Sequence, residues 1–206
     1  MLNNQKDRRR DQILDAFIDL LTEKGYRNTS MLGVARKASA SKETLYAWFS
    51  NKQGLFEAAI RRNAETVQTL LQKQQISGVS TEVALITFGS ALLTLLLGED
   101  SIAINRAAMS EASTDPELAR VLMDTGRNAT LPYFLNLLEE HQQSGHIKMD
   151  DTHLAAEQYL GLLAGDLQIR RLLDVLPEPS KKTIAKRASV ATAAFLKLYA
   201  QTNNKT

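Results

Sequence analysis

The sequence predicts an all-α chain, and three observations carry that expectation. Punctuation is sparse, since 206 residues contain only 4 Pro and 10 Gly, too few for a fold with many tight turns. Apolar residues recur at helical spacing, as in Ile13, Leu14, Phe17, Leu20 and Leu21. No stretch shows the strict alternation of a half-buried strand. With 44% hydrophobic and 23% charged residues, the composition is that of a globular protein with a real core.

Each helix has its own start and stop signals. The first amphipathic stripe is expected to end at Gly25, with Lys24 in its last turn. Thr29 or Ser30 can cap a short second helix reaching Ala38, and Ser41 a third over 41–49. Lys52 and Gln53 open a long fourth helix over 52–75. Further helices are expected at 82–97, 100–112, 116–143, 151–175 and 180–201. Breaks fall at Asp115-Pro116, Gly145 and Pro177–Pro179, and Pro132 should kink or split the 116–143 segment. The expected domains are a head over 1–51 and a body over 52–206, joined by the fourth helix.

Several function classes drop out. There is no Cys, hence no disulfide framework, thiolate metal site or cysteine nucleophile. The polar start, with Lys6, Arg8, Arg9 and Arg10, is followed by no apolar run of the secretory kind. The longest apolar stretch, Ala84–Leu97, spans 14 residues, where a membrane helix needs about 20. A cytoplasmic chain is expected. His141, His146 and His153 lack metal-ligand spacing, and no phosphate-binding glycine loop or nucleophile elbow occurs. No catalytic residue, metal or cofactor is assigned.

Net charge is +2, but it is unevenly spread. Residues 1–62 hold 12 Lys/Arg against 7 Asp/Glu, a net +5, while residues 63–206 hold 13 against 16, a net −3. A basic head on an acidic remainder suits a nucleic-acid-binding module joined to something else. The segment 29–49, TSMLGVARKASASKETLYAWF, supplies the motif. A short helix, a tight turn and a second short helix make a helix-turn-helix, whose second helix enters the major groove of DNA. Lys42 sits near that helix's start, where backbone N–H groups can also face phosphate. Ser41, Glu43 and Thr44 are polar groups able to reach base edges, and Tyr46 offers a hydroxyl to phosphate. Leu45 and Phe49 form the inward face.

Residues 10–60 resemble the DNA-binding domain of TetR-family transcriptional regulators. The likeness runs through Ile13-Leu14-Asp15-Ala16, Glu23-Lys24-Gly25-Tyr26, Thr29-Ser30 and Val34-Ala35. It continues through Ser41-Lys42-Glu43-Thr44-Leu45-Tyr46, Phe49 and Lys52 to Leu55-Phe56. The resemblance implies an all-α homodimer, with a three-helix head and a larger ligand-binding and dimerisation body. It implies that Thr29 or Ser30 caps the second helix and touches phosphate, and that Lys42, Glu43 and Thr44 lie at base edges. Tyr46 and Lys52 would bind phosphate, with Trp48 close to the DNA backbone. One departure stands out: the family turn usually has Gly where this chain has Ser39. A positive φ there would cost a non-Gly residue about 1 kcal/mol. The basic arm, Lys6 with Arg8–Arg10, can reach phosphate or the minor groove.

Residues 151–200 carry many small side chains, including Ala155, Ala156, Gly161, Ala164, Gly165, Ala185, Ala188, Ala191, Ala193 and Ala194. Small residues allow close helix approach, so helices 151–175 and 180–201 are the expected homodimer face. The C-terminal portion resembles a subset of the family through Arg106, Ser110-Glu111-Ala112, Pro116-Glu117-Leu118-Ala119, Gly145-His146-Ile147 and Leu160–Asp166. That subset includes repressors of efflux or catabolic genes answering to small apolar or aromatic compounds. Candidate pocket residues are Phe88, Leu92, Met109, Tyr133, Phe134, Tyr159 and Leu163, with Arg106, Glu111, Asn128 and Gln158 as polar candidates. The reading is a ligand-responsive operator-binding repressor. The alternative is a helical small-molecule-binding or enzymatic protein with a vestigial helix-turn-helix.

Overall fold

The computed structural model describes residues 2–74 and 79–199. Its regular structure among these residues is helical: α1 (Leu2–Asn28), α2 (Met31–Lys37), α3 (Lys42–Phe49), α4 (Lys52–Gln74), α5 (Thr81–Leu97), α6 (Glu99–Glu111), α7 (Glu117–Leu122), α8 (Ala129–Gln143), α9 (Thr152–Ala164), α10 (Leu167–Leu172) and α11 (Lys181–Tyr199). No single described helix is long and apolar enough to cross a membrane. The far end of the 180–201 expectation lies outside the described residues.

Two of the expected helices are not continuous. The 116–143 segment holds a π-helical stretch, Met123–Asn128, between α7 and α8. It ends four residues before Pro132, whose ring would meet the carbonyl at that distance in a regular α turn. The 151–175 segment breaks at Gly165, where φ is 51°, a conformation open to glycine. The stop expected at Gly25 is a kink with φ 75°, after which one more helical turn reaches Asn28. The basic arm belongs to α1.

The chain folds as two compact units. The first comprises the chain up to Asn63 together with Glu99–Arg127, and the second Ala64–Gly98 together with the chain from Asn128 onward. In the first unit Ile13, Leu14 and Phe17 of α1 meet Val34, Leu45 and Phe49, then Leu55, Phe56 and Ala59 of α4. Ala103, Ile104, Ala107 and Ala108 of α6 and Leu118 of α7 complete that core. It therefore extends past the expected boundary after residue 51. Arg62 ties α4 to Asp15 at 2.7 Å and to Asp100 at 3.3 Å.

The second unit centres on α5, α9 and α11, with α8 against α9. Ala155, Ala156, Ala188 and Ala191 are buried within this unit, whereas Gly161, Ala185 and Ala193 are exposed. The small residues thus divide between internal packing and an outer face.

His141 also lies here, accepting from or donating to the Thr81 hydroxyl across 3.0 Å. Burial lowers its pKa, nearby His146 lowers it further, and Glu140 opposes them. A histidine depressed in the fold binds fewer protons than in the unfolded chain, so stability is complete above about pH 6.5 and falls as pH drops through the lowered value. The wild-type melting temperature should therefore decline from about pH 7 to 5, and less steeply in His141→Gln. Identical pH slopes would remove His141 from this account.

Candidate DNA-binding interface

Ser30 and Ser41 set the two short helices. Ser30 accepts a hydrogen bond from the Gly33 N–H at 3.1 Å and caps α2. Ser41 accepts from the Thr44 N–H at 3.1 Å and caps α3. Such caps contribute about 1 kcal/mol each and, here, fix where the recognition helix begins. Thr29 is a correction to the sequence reading. It is 1% exposed, and its hydroxyl faces the carbonyls of Gly25 at 2.8 Å and Leu20 at 3.2 Å. It braces the end of α1 and cannot offer that hydroxyl to phosphate.

The turn between α2 and α3 is a Schellman closure. The Ser39 N–H donates to the Arg36 carbonyl at 3.1 Å, and the Ala40 N–H to the Ala35 carbonyl at 2.8 Å. Ser39 adopts φ 50°, the left-handed conformation usually supplied by glycine. The strain anticipated for this serine is therefore present in the fold.

Leu45 and Phe49 turn inward, as their spacing requires. Ser41, Lys42, Glu43, Tyr46 and Ala47 are exposed, and Thr44 and Trp48 are half-buried. The Lys42 ammonium stands 5.7 Å from the Tyr46 ring centre. Hydrogen bonds from Glu43's own backbone N–H and from the Ser41 hydroxyl hold the Glu43 carboxyl below its ordinary range, an acceptor at neutral pH. Lys6 lies over the Trp48 ring at 5.9 Å and Arg10 over the Phe49 ring at 5.5 Å. A groove of about 470 Å³ opens beside this end of α3, lined by Arg10, Trp48, Asn51, Gln53 and Arg61 among others.

Lys52 has a partner inside the head. Its ammonium donates to the Tyr26 carbonyl at 2.9 Å and sits 4.0 Å from the Tyr26 ring centre. Burial lowers its pKa, with Glu111 opposing. The same burial, then Glu111 and Asp115, pushes the Tyr26 hydroxyl up to about 12. Lys52 therefore joins α4 to the end of α1.

The body candidates separate into groups. Phe88 and Phe134 stack with centres 4.1 Å apart, and Tyr159 lies 5.4 Å from Phe134. The Tyr159 hydroxyl donates to the Leu85 carbonyl at 2.6 Å. Leu163 is buried with them, and Leu92 and Tyr133 are half-buried against the same cluster. Gln158 is exposed and accepts from the Tyr199 hydroxyl at 2.6 Å. The other candidates do not join this cluster. Met109 is 58% exposed, and Arg106 and Asn128 are also at the surface. Both carboxylate oxygens of Glu111 accept from the Arg27 Nε–H, at 2.9 and 3.1 Å, inside the head unit.

Comparison with known proteins decides the family. Residues 13–59 match the model of bacterial regulatory proteins of the tetR family, and residues 83–201 match that of the AefR-like transcriptional repressor C-terminal domain. The chain belongs to the TetR family.

Similar regulators cover most of it. The transcriptional repressor ComR of Escherichia coli K12 is 30% identical over 154 residues, 71% of this chain and 72% of ComR. A TetR regulator from Agrobacterium tumefaciens is 32% identical, with TM-score 0.75, covering 93% of this chain and 95% of that one. The flavonoid-responsive regulator FrrA is 29% identical, with TM-score 0.68, covering 94% and 98%. This TetR-family chain is a helix-turn-helix transcriptional regulator. Two structural roles in its head escaped the sequence reading. Asn51 caps α4 by accepting from the Gly54 N–H at 2.8 Å, a role its residue type favours. Arg9 donates to the Ser39 carbonyl, thirty positions away, and no local signal announces that.

Proposed function

We propose that this TetR-family chain is a dimeric repressor that binds a roughly palindromic operator and is released by a small, largely apolar or aromatic effector. The observation that carries the DNA-binding half is the exposed polar row of α3, held in place by the Ser41 cap and the buried Leu45 and Phe49. Ser41, Lys42, Glu43 and Thr44 then face base edges, and Tyr46 and Trp48 the backbone. Ser30, exposed at the start of α2, is the remaining phosphate candidate.

The effector half rests on the aromatic cluster of Phe88, Phe134 and Tyr159 with Leu92 and Tyr133 beside it. FrrA is named for its response to flavonoids, planar aromatic molecules of the kind such rings stack against. The rings touch one another, so a ligand must favour a state in which they part, which is how differential affinity shifts a two-state regulator. The dimer is assigned to α9, α10 and α11. They and the residue that follows α10 expose Leu154, Ile169, Leu173, Val190 and Leu198, apolar groups that a second copy would cover. We assign no catalytic role to any residue, and a cytoplasmic location follows from acting on DNA.

A gel-shift titration on the promoter beside the protein's own gene tests this. Lys42→Ala should weaken binding and relax the preference for the base that Lys42 faces, the signature of a lost base-edge contact. Tyr46→Phe should weaken binding to all sequences, whereas Thr44→Ala should alter preference among operators. A folded dimer with no specific binding at low salt would overturn the proposal.

A further inference from the structure

We propose that Arg9 is a positioning residue for operator binding, acting on the turn between α2 and α3 rather than on DNA. The guanidinium is held from two sides. One Nη donates to the Gln12 side-chain oxygen at 2.7 Å, and the other donates to the carbonyl of Ser39. Ser39 is the residue at φ 50°, in the left-handed region that serine adopts at a cost. A charge-assisted bond to its carbonyl favours the conformation in which that carbonyl faces Arg9. The Ala40 N–H to Ala35 bond that closes the turn depends on the same conformation.

The arm's neighbours support this placement. Lys6 and Arg10 reach the rings of Trp48 and Phe49 at the far end of α3. The first turns of α1 therefore touch both the turn before the recognition helix and its C-terminal end. A basic arm read as a phosphate contact is, at Arg9, a brace that sets the angle of α3. The glycine that this turn lacks and the arginine that this arm carries are two parts of one solution.

The inference rests on operator binding by the wild type, measured in the same titrations. Arg9→Ala should bind operator about fivefold more weakly, the weight of one hydrogen bond, with an unchanged salt slope. The Ala40 amide should exchange faster in the DNA-free variant. Adding Ser39→Gly, which adopts the turn without a brace, should restore both affinity and exchange. A salt slope lowered by about one would make Arg9 a phosphate ligand and overturn the proposal. So would unchanged affinity and exchange, or a double variant as weak as Arg9→Ala. If the wild type binds no operator, the proposed function falls. The Ala40 exchange rates then still decide whether Arg9 holds the turn.

Discussion

Phe134→Ala should lower the stability of the folded protein by about 4 kcal/mol, measured by denaturant unfolding at fixed protomer concentration. Phe134 is 1% exposed and stands between Phe88 and Tyr159. Truncation removes the transfer energy of the ring and leaves a void that neighbouring rings fill only in part. The loss should be partly recovered by benzene, because an apolar cavity of this size stays dry and takes an apolar guest. A denaturation midpoint unmoved by the substitution would mean that Phe134 is not a core ring.

Gly54→Ala should cost about 3 kcal/mol and abolish operator binding. A β-carbon at this position would lie 2.0 Å from the Phe49 carbonyl oxygen and 3.1 Å from its carbon. That carbonyl is backbone at the end of α3, so it cannot swing aside as a side chain would. The clash also displaces Asn51, whose Oδ1 receives the Gly54 N–H. The recognition helix would then lose its fixed junction with α4. Circular dichroism and a gel shift on the same sample check this. Full binding by a folded Gly54→Ala variant would show that the junction yields more easily than its geometry allows.

What the sequence makes legible is short-range. Ser30 and Ser41 act through residues three positions on, and Leu45 and Phe49 share a face by helical spacing, so the head motif could be read directly. Long-range partners could not. The Lys52 ammonium reaches a carbonyl 26 positions earlier, and nothing near residue 52 distinguishes that from a phosphate contact. The net charge of +5 has the same defect. Arg27 pairs with Glu111, an acid of the same unit that a count over residues 1–62 leaves out. In the body, aromatic residues at helical spacing fit a pocket wall or a core equally well. Phe88, Phe134 and Tyr159 pack on each other, while Met109 and Arg106, on the same kind of stripe, face outward. An apolar stripe states that a helix has a buried side and leaves the partner unnamed.

The head's core has a consequence for how the protein is made. Ile104, Ala107, Ala108 and Leu118 sit in the same cluster as Phe17 and Phe56, although the intervening Ala64–Gly98 belongs to the other unit. During synthesis the first sixty residues leave the ribosome with one side of their apolar surface still uncovered. The surface is closed only when α6 and α7 have been translated. Until then the nascent chain carries a DNA-reading helix on an incomplete support, and a product terminated early would make a poor competitor for the operator. Competence to bind is thereby tied to having made well over half of the polypeptide.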